Sequence, residues 1–171
     1  RQVDPAADPV IVGPPGTAIF TDDEFNNSGD RGEFRKTASV MKMVLDGYAG
    51  AGTVTMGGFD YHTGDRSTGE LRDLRAGRCI GACLAYAEAV GQPLVIYVCS
   101  DGSVATNRMI NNSPEGRDKG VWTGDNSSTA ASFFLVYNPG TPPQIIDDGL
   151  VTTSQRQQIG RFRADGSVDT S

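Results

Sequence analysis

Histidine occurs once in these 171 residues and cysteine three times, and each scarcity closes off a class of chemistry. A single imidazole cannot build the multi-histidine shell of a typical catalytic zinc centre. An odd number of cysteines cannot all pair within one chain, so they form no disulfide framework. Basic charge is short as well: 15 Lys and Arg stand against 21 Asp and Glu, for a formal net charge of -6. That balance argues against nucleic acid as partner, because phosphate binding needs a clustered basic footprint. No apolar stretch approaches the roughly 20 residues that span a bilayer. The longest, from Leu94 to Cys99, is strand-sized, which excludes membrane insertion. An initiator Met and a charged-then-apolar leader are also missing, so the chain reads as a piece excised from a longer protein.

What is present suffices for one sizeable core, since 37% of the residues are hydrophobic. The organisation expected is an extended arm and loop over residues 1–29, an α/β domain over 30–150 and a weakly structured tail over 151–171. Residues 1–16 are proline-rich, interrupted by the short apolar run Val10-Ile11-Val12. The following Gly13-Pro14-Pro15-Gly16 begins like a phosphate-binding loop but lacks the Gly-Lys-Ser/Thr ending that would cradle phosphates, so no nucleotide site is expected there. Phe34, Ala38, Met41, Leu45 and Tyr48 recur at steps of four and three, which predicts an amphipathic helix ended by Gly47, Gly50 and Gly52. Residues 53–56 are a short β-prone run. Ser67 with Glu70 three positions on makes a capping-box pattern ahead of a helical series, Leu71, Leu74, Cys79, Ile80, Cys83, Leu84 and Ala87, stopped by Gly91 and Pro93.

Leu94 to Cys99 is apolar without alternation, the pattern of a strand buried on both faces. Helix, strand, helix, strand in this order predicts an α/β fold, three-layered, with a mostly parallel sheet and a right-handed crossover. In such sheets ligands gather beyond the carboxyl ends of the strands. Two loops would start there: Gly57-Gly58-Phe59-Asp60-Tyr61-His62-Thr63-Gly64-Asp65-Arg66 after the first strand, and Ser100, Asp101 and Ser103 after the second. Asp60 and His62, two apart on extended backbone, point to the same side and could reach one cation or one reacting group. The same glycine-flanked residues also read as an ordinary turn with an exposed imidazole. Cys79 and Cys83, one helical turn apart, and Cys99 read as buried free thiols rather than metal ligands.

Residues 102–130 are polar and rich in Asn, Gly and Ser, and read as a long lid, binding loop or insertion, with Trp122 as an aromatic anchor or lid residue. Ser132 to Tyr137 is a further strand of unsettled direction. Asn26, Asn111 and Asn126 begin Asn-x-Ser sequences, which matter only in a eukaryotic secretory setting.

Taken together, residues 34–45, then Gly57-Gly58-Phe59-Asp60-Tyr61-His62, then the strand ending in Ser100-Asp101 with Asn107 beyond it, resemble an uncharacterised bacterial family allied to the alkaline phosphatase and sulfatase superfamily. The resemblance covers roughly residues 30–140. It implies an alkaline-phosphatase-like core, incomplete here, and export to the periplasm or beyond. It also implies that Asp60 and His62 match a metal-ligand pair and that Asp101 stands where the family has a Glu. Asp125 holds the aspartate position of a Gly-Thr-Asp-His-Gly segment whose histidine this chain lacks, reading Gly124-Asp125-Asn126. No segment before residue 30 corresponds to the superfamily's nucleophile strand.

Two functions follow as expectations. One is a metal-dependent hydrolase of phosphate or sulfate esters, active or degenerate, with Asp60, His62, Asp101 and Asp125 as ligands of Mg, Mn, Ca or Zn. Arg66 or Arg108 would contact a small anionic ester. The other is a non-catalytic exported domain that binds a partner through residues 102–130.

Overall fold

The computed structural model describes residues 4–59, 66–100, 102–114, 116–126 and 131–145, with backbone alone for 66, 103–108 and 122–126. In chain order, a 3-10 turn at Pro5–Ala7 leads into β1 (Val12–Gly13), β2 (Phe20–Thr21) and α1 (Asp22–Asn26). There follow α2 (Arg31–Leu45), α3 (Arg66–Val90), β3 (Leu94–Cys99), β4 (Ser103–Asn111), β5 (Lys119–Asn126) and β6 (Ser132–Tyr137).

The helical part follows from its sequence. Phe34, Ala38, Met41 and Leu45 form the buried stripe of α2. Gly47, at φ +83°, then turns the chain into the left-handed region that glycine enters without a Cβ clash. Tyr48 and Ala49 both donate their amides to the Met43 carbonyl at 2.9 Å, closing the helix end, and Tyr48 itself is half exposed. At α1, Thr21 Oγ1 accepts from the Glu24 amide at 3.1 Å and Glu24 Oε2 accepts from the Thr21 amide at 2.8 Å, a reciprocal capping box. The α3 capping box expected at Ser67 does not start its helix, which already includes Arg66. Its buried face is Cys79, Ala82, Tyr86 and Ala87, whereas Leu71 and Leu74, expected inside, are exposed. Phe20 is fully buried against Phe34 and Phe25, with ring centroids at 5.1 and 6.1 Å. With Ile11, these side chains complete the core.

The expected three-layer, mostly parallel, alkaline-phosphatase-like sheet is not the fold. The strands form three separate two-stranded sheets, β1-β2, β3-β6 and β4-β5. Only β1-β2 is parallel, and it spans two residues per strand. Residues 53–56 form no ladder. The run Leu94–Cys99 does make a strand, but its burial alternates instead of being complete: Val95 and Tyr97 are 62% and 54% exposed. Apolar residues on both faces therefore mark a strand whose outer face lacks a covering layer, and β3 pairs antiparallel with β6. Ser100 extends that pairing by donating its amide to the Ala131 carbonyl at 3.0 Å.

The polar stretch expected as a loop over 102–130 is largely a hairpin. β4 and β5 pair antiparallel, with Ser103 opposite Asn126, Val104 opposite Asp125 and Thr106 opposite Trp122. Backbone hydrogen bonds need no apolar side chains, so Asn-, Gly- and Ser-rich composition conceals such a ladder. At its tip, Asn111 accepts from the Asp118 amide at 3.0 Å, and Arg117 and Asp118 take φ of 49° and 56°, uncommon for residues with a Cβ.

The described residues divide into two compact units. One is drawn from residues 1–57, 72–96 and 136–142, the other from 58–71, 97–135 and 143–171. Among the described residues no helix is long and apolar enough to cross a membrane.

Candidate functional site

Asp60, His62 and Asp101 lie outside the described residues, and Arg66, Arg108 and Asp125 are described by backbone alone. What flanks them is defined. Ahead of Asp60, the Gly57 carbonyl accepts from Arg75 Nη2 at 3.2 Å, and Gly58 takes φ +85°. Beyond the segment, α3 begins at Arg66. Asp125 sits in β5 opposite Val104, at the open end of the hairpin. Phe59, Arg66, Ser100, Gly102 and the whole β4-β5 hairpin fall in one compact unit. The convergence expected from two parallel strand ends is corrected: residues 53–56 form no strand and β3 runs antiparallel to its partner. Among the described residues no group of three or more His, Cys, Asp or Glu side chains could hold a metal ion.

The most developed polar cluster went unread in the sequence. Lys42 is 3% exposed on the buried side of α2. Its Nζ donates to Asp8 Oδ2 at 2.6 Å, to Asp46 Oδ2 at 3.0 Å and to the Tyr86 hydroxyl at 3.0 Å. The Tyr86 hydroxyl lies 3.3 Å from Asp8 Oδ2 and 3.1 Å from Asp46 Oδ1. Position 42 stands next to Met41 and four from Ala38, on the flank of the apolar stripe, and that placement was the available signal. A lysine there is usually read as a solvated stem.

Electrostatics define what this cluster can do. Burial disfavours the ammonium of Lys42, yet its hydrogen bonds to Asp8, Tyr86 and Asp46 outweigh that cost and raise its pKa. Burial likewise opposes ionisation of Asp8, but the Lys42 hydrogen bond, the Val10 amide and the Lys42 charge together lower its pKa. Burial leads the causes that raise the pKa of Tyr86. An amine locked as ammonium and a phenol locked as phenol offer neither nucleophile nor base at neutral pH. The arrangement is a fastening between the N-terminal segment and two helices.

A second fastening lies at Arg78. Its guanidinium bonds Glu24 Oε1 at 3.0 Å and Oε2 at 3.1 Å, reaches the Ile19 carbonyl, and stacks 4.9 Å over the Phe20 ring. The Arg78 hydrogen bond is the main reason the Glu24 carboxyl titrates below its ordinary range. The cysteines are free. Burial raises Cys79 and pushes Cys83 up to about 11, so neither presents a thiolate at neutral pH. Cys99, expected buried, is exposed because it falls on the outer face of β3. A groove of about 250 Å³ runs between α2 and the turn after it, lined by Ser39, Val40, Met43, Val44, Ala49, Ala51 and Gly52, with no titratable group in it.

Comparison of the chain with protein-family models, curated proteins and solved structures finds no match.

Proposed function

We propose that the chain is a divalent-cation-binding domain of the phosphate- or sulfate-ester hydrolase type, with Asp60, His62, Asp101 and Asp125 as the ligand set. The Gly-Gly-Phe-Asp-Tyr-His segment carries the reading. It gains support from the described flanks of all four residues, which belong to one compact unit, and from the register of Asp125 opposite Val104, a residue three positions after Asp101 in the sequence. Three carboxylates and one imidazole suit Mg, Mn or Ca and accommodate Zn. Arg66 or Arg108 would bind the anionic end of a small ester. A bound cation supplies Lewis acidity and charge stabilisation to the ester. No Ser or Thr of the chain is assigned as nucleophile, so the reading includes a degenerate domain that binds without turnover. Export to the periplasm or beyond belongs to the same proposal.

Calorimetric titration with Mn, Mg, Ca and Zn, paired with hydrolysis of chromogenic phosphate and sulfate esters, tests it. Asp60→Ala and His62→Ala are each expected to weaken cation binding by more than about 10- to 100-fold, the range typical of losing a group that only supports a ligand. Absence of binding by any of the four metals, together with absence of turnover, rejects the proposal.

One observation favours a second reading, a non-catalytic binding domain. Within one compact unit β3 exposes Tyr97, β6 exposes Phe134, and their rings stack with centroids 4.5 Å apart. Neighbouring apolar side chains of this size on a surface are characteristic of a face that meets a partner. Metal indifference with retained folding supports this second reading.

A further inference from the structure

We infer that residues 4–13 form a strap that opens as a unit when Asp8 loses its negative charge, while α2 and α3 stay folded. The strap meets the rest of its unit where the 3-10 turn lies on α2, where β1 meets β2 and α1, and where Ile11 and Val12 reach the core. Of its side chains only Ile11 is fully buried, and Pro9 and Val10 are exposed. Its ladder to β2 is two residues long, Val12 opposite Phe20 and Gly13 opposite Thr21. The amides of Ile11 and Val12 turn back to the Asp8 carbonyl at 3.0 and 2.9 Å, and the Val10 amide donates to Asp8 Oδ1 at 3.0 Å. Asp8 is thus both the internal brace of the strap and, among the described residues, its one charged contact with the helices.

The groups facing Asp8 are Lys42 of α2, Asp46 at the α2 C-cap and Tyr86 of α3. If Asp8 is neutralised, Lys42 keeps Asp46 and Tyr86 as partners, so the helix pair retains a satisfied ammonium. The second fastening, Arg78 with Glu24, acts beyond the strap on β2 and α1 and is untouched. What remains on the strap is Ile11 with the partly buried Val12 beside it, the Ile19 and Phe20 amides bonded to the Val10 and Ile11 carbonyls, and the packing of the 3-10 turn on α2, all of it uncharged and local. Opening it bares the seat of Ile11 in the core beside Phe20.

Hydrogen exchange read by mass spectrometry on the whole chain tests the inference, with rates corrected for the intrinsic effect of pH. In Asp8→Asn at neutral pH, protection of the Ile11 and Val12 amides is expected to fall about tenfold or more, as for loss of a charged hydrogen bond, while α2 and α3 amides keep theirs. Wild-type protein taken from about pH 7 to about pH 3 is expected to lose more protection in the strap than in the helices, which lose only the share that Glu24 carries. The inference is overturned if strap and helices lose protection together in Asp8→Asn at neutral pH, if Asp8→Asn leaves strap exchange unchanged, or if Asp8→Asn fails to fold, since the strap is then not separable.

Discussion

Residues 11–87 and residues 94–137 use similar apolar side chains to opposite effect. Every fully buried apolar side chain among the described residues, from Ile11 to Ala87, comes from the first region, while β3 and β6 of the second expose Val95, Tyr97, Phe133, Phe134 and Val136. Hydrophobicity alone did not decide burial. A helix with a stripe at steps of three and four finds cover from its neighbours, whereas the strands leave even the consecutive residues Phe133 and Phe134, on opposite faces of β6, exposed. Leu94 and Tyr137, partly buried against the helical core, mark where that cover ends.

The contrast breaks or sharpens under mutation. Phe20→Ala is expected to destabilise by about 3–5 kcal/mol in denaturant titration, because it empties the centre of the Phe20, Phe25 and Phe34 group. Lys42→Ala should cost about as much, roughly 3–5 kcal/mol, since it leaves the Asp8 and Asp46 carboxylates without their cation. Gly52→Ala would press a methyl group into the Val40 side chain and against Val44, for an expected cost of about 1–3 kcal/mol. At the small end, Phe134→Ala should shift stability by no more than about 0.5 kcal/mol. A loss at Phe134 equal to that at Phe20 would mean that the strands have a core of their own.

Acid separates the regions further. Asp8 and Glu24 titrate below their ordinary values of 3.8 and 4.5, so the folded state holds fewer protons than the unfolded one as pH falls through that range. Their contribution is complete above the ordinary values and is lost as pH drops through the lower, folded ones. Denaturation midpoints of the helical region are therefore expected to be level above about pH 5 and to fall below it, and Glu24→Gln should flatten part of that slope.

How much was legible depends on which interaction carries each element. α2 was readable because one periodic stripe both forms it and buries it, and Gly47 announces its end. β3 was readable as a strand but not in its pairing: an unalternating apolar run looks the same whether a second layer covers it or is missing, so the parallel sheet inferred from it was wrong. The hairpin over β4 and β5 was hidden because backbone hydrogen bonds hold it and most of its residues are polar or glycine. The Lys42 cluster was hidden for the converse reason, because burying an ammonium requires Asp8, 34 positions away, and Tyr86, 44 positions away. Asp60 and His62 were named from residue type and spacing, Asp101 and Asp125 only from the resemblance of their segments to a known family, and the register of Asp125 adds to them only a place on the hairpin.

The seclusion of Lys42 gives the chain an internal reporter. Reductive methylation or acylation should modify the ammonium groups of Lys36 and Lys119, whose side chains are 42% and 53% exposed, and pass over Lys42 at 4%. One peptide in a mass spectrum, labelled or unlabelled at that lysine, would then report whether the helical region of a given preparation is intact.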